Sequence, residues 1–91
     1  MWLITAQTCD DPRAVGWSSS DFHAEHLTRL THRFRLLTDD EEVCFEGMGD
    51  GDPQAVNLLD ESCLDPLTNF GMGRYGCNRI QYWLNDRWQE T

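Results

Sequence analysis

Apolar and polar residues alternate with a period of two over several short stretches of this chain, and those stretches set the expected fold. Trp2 to Thr8 opens with β-favouring residues, Trp2 and Ile4 alternating with Leu3 and Thr5, which predicts a first strand. Cys9-Asp10-Asp11-Pro12 stops it, because proline has no amide to donate and restrains the residue before it. Arg13 to Trp17, interrupted by Gly16, is expected to be irregular or a short edge strand. His32 to Thr38 alternates again, with Phe34 and Leu36 on one face and Arg33, Arg35 and Leu37 on the other. Glu42 to Glu46 follows with Val43 and Phe45 together, and Asp39-Asp40-Glu41 makes a tight acidic turn between the two runs, so 33–46 predicts a β-hairpin. Its arginines face an acidic partner strand, where each opposite-charge pair contributes about 0.2 to 1 kcal/mol.

A second hairpin closes the chain. Ile80, Tyr82 and Leu84 alternate with Arg79, Gln81 and Trp83, and Asn85-Asp86 then offers two residues that tolerate the positive φ of a two-residue turn. This hairpin is read as the centre of a small sheet, with Ile80, Tyr82 and Trp88 in its core and register, and Trp2 in the core as well. Upstream, Gly71, Gly73 and Gly76 predict a loop, and Gly47-Met48-Gly49-Asp50-Gly51 predicts a flexible connection.

Two stretches change from period two to helical spacing. Ser18-Ser19-Ser20-Asp21 can accept from free helix N-terminal amides, and Phe22, His26, Leu27 and Leu30 then share one face, predicting a helix of about ten residues. Asp52 as N-cap and Pro53 in the first helical position, with Ala55, Val56 and Leu59 as an apolar stripe, predict a second helix to about Ser62; Asp65-Pro66-Leu67 ends that region. The expected fold is therefore α+β, one domain over residues 1–91: an antiparallel sheet of four to five strands with one or two short helices packed on one face.

Charge narrows the function classes. Sixteen Asp and Glu stand against seven Arg and no Lys, a net charge of −9. Such a chain repels nucleic acid and anionic membranes, which need a basic footprint, so its natural partners are basic surfaces or cations, and the simplest alternative is that the acid keeps the domain soluble and monomeric. The acids concentrate at the hairpin tip (Asp39, Asp40, Glu41, Glu42), the glycine loop (Asp50, Asp52) and the end of the second predicted helix (Asp60, Glu61). Four consecutive acids cannot be buried without large desolvation costs, so the tip must project into water.

Other chemistry is sparse. Cys9, Cys44, Cys63 and Cys77 form no Cys-x-x-Cys pair and read as small buried fillers, reduced in the cytoplasm, since the N-terminus lacks a signal-peptide pattern and no segment reaches membrane-spanning length. His23 and His26 are three apart, but a His pair without a nearby acidic or Cys ligand is more often ordinary surface, and a metal-binding domain ranks low among the alternatives. Asp50-Gly51-Asp52 resembles the opening of a calcium loop, with Glu61 at the twelfth position, yet Pro53, Gln54 and Val56 spoil the ligand and glycine positions between. No metal or cofactor is expected. Ser18–Ser20 near His23, or Cys77 with a distant His, lacks a nucleophile context, so no catalytic residues are assigned.

Arg33-Phe34-Arg35-Leu36-Leu37 with its acidic turn and the Val43 to Gly47 strand, then Asp65-Pro66-Leu67, Phe70-Gly71, Gly76-Cys77, Ile80-Gln81-Tyr82 and Trp88, resembles a group of small acidic bacterial and phage proteins of unassigned function. The resemblance covers about half the chain and leaves out the first thirty residues or so. Both hairpin turns of that group carry Gly where this chain has Glu41 and Asp86, and the segment between its hairpins is shorter, which implies that the helix after Pro53 is an insertion. The resemblance implies the fold and a phage or mobile-element setting. By analogy of class with anti-CRISPR proteins, the leading expectation is a non-catalytic inhibitor, monomeric or a small homo-oligomer, that imitates nucleic-acid charge on a basic surface of a host defence complex. The alternative is a protein–protein interaction module anchored on exposed Trp83 and Trp17.

Overall fold

The computed structural model describes residues 1–7, 16–51, 62–72 and 76–90, and the second predicted helix lies outside them as far as residue 61. The described residues form an α+β fold with five strands: β1 (Trp2–Gln7), β2 (His32–Leu37), β3 (Val43–Gly49), β4 (Arg79–Leu84) and β5 (Arg87–Glu90). All neighbours are antiparallel, in the order β1-β3-β2-β4-β5. Both predicted hairpins are present. The closing hairpin, however, lies at one side of the sheet with β5 at the edge, and the central strand is β2, because β3 and β4 both pair with it while β1 pairs with β3. The interior strands are therefore those whose residues bury best: Phe34, Leu36 and Phe45 are fully covered.

One face of the sheet carries the core. Trp2, Ile4, Phe34, Leu36, Phe45, Ile80 and Tyr82 cluster with Cys44, Cys63, Leu67, Phe70 and Cys77. The three cysteines are buried, as small apolar fillers should be. Phe70 reaches down from the other layer, edge-on to Phe45 at 5.0 Å and to Trp2 at 5.5 Å between ring centroids. Tyr82 solves the problem of a polar atom in this core by donating its hydroxyl to the Cys63 carbonyl at 2.6 Å, and burial pushes its phenol well above the usual range.

Gly47, Met48 and Gly49 belong to β3 rather than to a flexible connection. The reason is steric: a Cβ on Gly47 would lie 2.3 Å from the Leu3 carbonyl oxygen and 2.6 Å from the Phe34 ring. Glycine here makes room for the aromatic ring of the neighbouring strand, a role it often has inside sheets. Another departure follows from a bulge. Leu36 pairs with Phe45 but Leu37 pairs with Val43, so Cys44 is an extra residue, and Val43 and Phe45 fall on opposite faces instead of together.

The first helical segment is shorter than its spacing predicts. Ala24–Arg29 is a 3-10 helix of six residues with no buried residue of its own; Leu30 just beyond it is buried, while Leu27 is exposed. Its N-cap is His23, with no side-chain capping bond, so the serine run does not cap it. Ser19 instead accepts from the Trp2 amide at 3.0 Å. The backbone bonds Ile4 N–H to Trp17 O (2.8 Å), Gly16 N–H to Ile4 O (2.9 Å) and Ser19 N–H to Trp2 O (3.0 Å) tie 16–19 along the free edge of β1. A further helical stretch runs, within the described residues, from a 3-10 turn, Ser62–Leu64, through Asp65-Pro66 into a π-helical turn, Leu67–Gly71. Asp65-Pro66-Leu67 therefore continues the helical region rather than ending it: Pro66, at φ −58° and ψ −35°, needs no amide partner at a helix start.

Candidate functional site

The acidic tip is built by a three-residue loop. Glu41 N–H donates to the Thr38 carbonyl and Thr38 N–H to the Glu42 carbonyl, both at 3.0 Å, and Glu41 sits at φ 63°, the left-handed third position such a loop requires. Asp39, Asp40, Glu41 and Glu42 are all exposed. Glu41 is tethered: its carboxylate lies 3.1 Å from Arg79 on β4, whose Nε also donates to Glu90 at 2.5 Å. These bonds, that to Glu90 first, raise the Arg79 guanidinium further above its usual value, so it stays charged throughout. Asp39, Asp40 and Glu42 have no cationic partner among the described residues. The loop thus holds three uncompensated carboxylates on a backbone fixed by two bonds and one ion pair.

Of the eight acids assigned from sequence, the five among the described residues do not converge. Asp50 lies past the far end of β3, roughly 20 Å along the strand from the tip. There it accepts from the Met1 α-ammonium at 2.8 Å. Asp52, Asp60 and Glu61 lie outside the described residues.

The face of the sheet opposite the core carries a constellation that the sequence reading missed. Trp88 is not in the core: a two-residue turn at Asn85-Asp86 pairs Leu84 with Arg87 and Trp83 with Trp88, which sends Trp88 to the side of Trp83. The two indoles pack edge-on at 5.3 Å, and the guanidinium carbons of Arg35 and Arg33 lie 4.4 and 5.2 Å from the Trp88 ring centroid. Arg33 also bonds Glu46 at 2.9 Å and Arg35 bonds Gln81 at 2.7 Å. Trp83 remains 42% exposed. The turn length and the alternation in β4 contained the signal for Trp88; the partnership with Arg33 and Arg35 needed the strand order as well.

A cleft of about 490 Å³ opens beside the π-helical turn, between it, the start of β1 and residues 17–21. Trp2, Trp17 and Phe70 form its aromatic side, and Ser18–Ser20, Asp21, Asp65 and Asn69 its polar rim. Asp21 accepts from the Ser19 hydroxyl, which holds its carboxyl below the usual range despite a small opposing cost of burial. The histidines are separate from this cleft: His23 and His26 sit edge-on at 5.7 Å, and among the described residues no three His, Cys, Asp or Glu side chains gather as metal ligands.

Comparison of the chain with protein-family models, with curated proteins and with solved structures gives no match. Among the described residues no helix is long and apolar enough to cross a membrane.

Proposed function

We propose that this protein is a small acidic inhibitor that occupies a basic nucleic-acid-binding surface of a host defence complex, in the manner of anti-CRISPR proteins, with the tip of the β2–β3 hairpin as its leading contact. The observation that carries this reading is the set of uncompensated carboxylates at Asp39, Asp40 and Glu42, presented by a loop whose backbone is closed on both sides and whose fourth acid, Glu41, is pinned to Arg79. A fixed cluster of negative charge in a molecule of net charge −9 attracts a basic channel over long range and speeds encounter. Asp50 belongs to a different end of the molecule and acts, in this reading, as a peripheral contact.

The test uses a purified DNA-targeting CRISPR effector complex and a mobility-shift assay of its target-DNA binding. The wild-type protein should suppress DNA binding in a way that weakens steeply as salt is raised, and D39N/D40N/E41Q/E42Q should relieve the suppression while its circular dichroism is unchanged. Suppression by the quadruple variant equal to wild type removes the tip from the reading. Suppression indifferent to salt and abolished by W83A moves the contact to the opposite face and favours an aromatic-anchored interaction module instead.

A further inference from the structure

The cleft beside the π-helical turn lies at the Gly49 end of β3, away from the acidic tip at the Val43 end, and nothing in it depends on that tip. Its volume of about 490 Å³ falls in the range of small-molecule sites. Phe70 is edge-on to Trp2 at 5.5 Å and to Trp17 at 6.0 Å; the first two rings are buried, while Trp17 keeps 39% of its surface exposed. The rim is made for hydrogen bonds. Ser20 and Asn69 line it as exposed residues, and neither their hydroxyl nor their carboxamide has a partner among the described residues. Asp21, with 68% of its side chain exposed, accepts from the Ser19 hydroxyl and faces the Met1 α-ammonium at 3.9 Å, so its charge is partly offset within the protein while lone pairs remain to accept from a ligand. Asn69 and Phe70 are delivered by a π-helical turn, a rare geometry frequent at functional sites.

We propose that this cleft binds one pyranose ring of a neutral saccharide, with the Trp17 indole against the C–H face of the sugar and Ser20, Asp21 and Asn69 bonding its hydroxyls. A pyranose has the matching two kinds of surface: one face of polarised C–H groups, which the negative face of an aromatic ring attracts, and a rim of hydroxyls that each donate and accept. Asp21 accepts only, whereas Ser20 and Asn69 do both, so the set can serve neighbouring hydroxyls in either sense. Other ligand classes fit less well. A cation would share Asp21 with the Met1 α-ammonium, and an anion would lie against the carboxylate itself. A wholly apolar ligand would take Ser20, Asp21 and Asn69 out of water without bonding them.

The experiment is a titration of the full chain, followed through the Trp17 indole N–H resonance and by calorimetry, at constant ionic strength. The probes are the methyl glycosides of glucose, galactose, mannose and N-acetylglucosamine. Sorbitol, which has the hydroxyls without the ring face, and choline, a cation of similar size, are the controls. A saturable shift with at least one glycoside, at least about tenfold tighter than either control and weakened about tenfold in W17A and in S20A/N69A, is the expected result. Calorimetry reads W17A, which lacks the reporter. Because Trp17 packs on Phe70, the S20A/N69A pair, on exposed residues, serves as the variant that leaves the aromatic side intact. Binding of sorbitol or choline as tight as that of the best glycoside, unchanged affinity in S20A/N69A, or no saturable shift with any glycoside overturns the proposal.

Discussion

The two faces of one sheet are held by different forces. On the inner face Phe34, Leu36, Phe45, Ile80 and Tyr82 meet Phe70 from the helical layer, and burial of apolar area is the main stabilising term. On the outer face, Arg33, Arg35, Trp83 and Trp88 form a lattice of cation–π contacts and hydrogen bonds that stays in reach of water. The strands are the same; only the side of the pleat differs. The inner face needs close fit and therefore tolerates little change, whereas each outer contact is worth a few tenths to about one kcal/mol and is separately dispensable.

Substitutions on the two sides should separate these regimes. The largest effect is expected at Gly47, where a methyl group would meet backbone at 2.3 Å and ring at 2.6 Å. Gly47→Ala should cost about 3 kcal/mol or more by chemical denaturation, because neither the Leu3 carbonyl nor the buried Phe34 ring can retreat. A loss below about 1 kcal/mol would show that β3 yields there. Tyr82→Phe should cost about 1 to 3 kcal/mol, since it removes a buried hydroxyl hydrogen bond to the Cys63 carbonyl. It also has a signature in pH. The Tyr82 pKa is raised on folding, so its contribution is fully present below the unfolded value near 10.0 and is lost as pH climbs towards the folded one. Wild type should weaken progressively above about pH 10, and the Tyr82→Phe variant should lack that share of the decline. The smallest effect belongs to the outer face: Trp88→Ala removes two cation–π contacts and should cost about 1 to 2 kcal/mol, with a red-shifted change in the emission of Trp83 as a second readout. A cost for Trp88 exceeding that for Tyr82 would invert the comparison.

Much of this division was legible in the sequence, because alternation assigns a residue to a side of the sheet. Phe34 and Leu36 against Arg33 and Arg35, and Ile80 and Tyr82 against Gln81 and Trp83, all fall as the pattern requires. Both turns fall in place as well, and their residues Glu41 and Asp86 sit in the left-handed region at φ 63°. What the pattern hid depends on contacts distant along the chain. Gly47 and Gly49 look like linker glycines until Phe34 is placed over them. The bulge at Cys44 reverses the alternation without any change in composition. The serine run resembles a helix cap because hydroxyls serve equally well to accept from a neighbouring strand, as Ser19 does from Trp2. Of the candidate site, the exposure of the tip was readable from charge alone; its anchoring by Arg79 required the register of β4 beside β2.

The strand order also dictates a sequence of events when the chain folds. The β2–β3 and β4–β5 hairpins close loops of a few residues, events of microseconds, whereas β1 finds β3 only across roughly forty residues of intervening chain. The edge that brings Trp2 and Ile4 into the core and the β2–β4 seam, which is as distant along the chain, therefore both form after the two hairpins have closed. Substitutions in the tip loop should slow refolding, while those in β1 should mainly quicken unfolding.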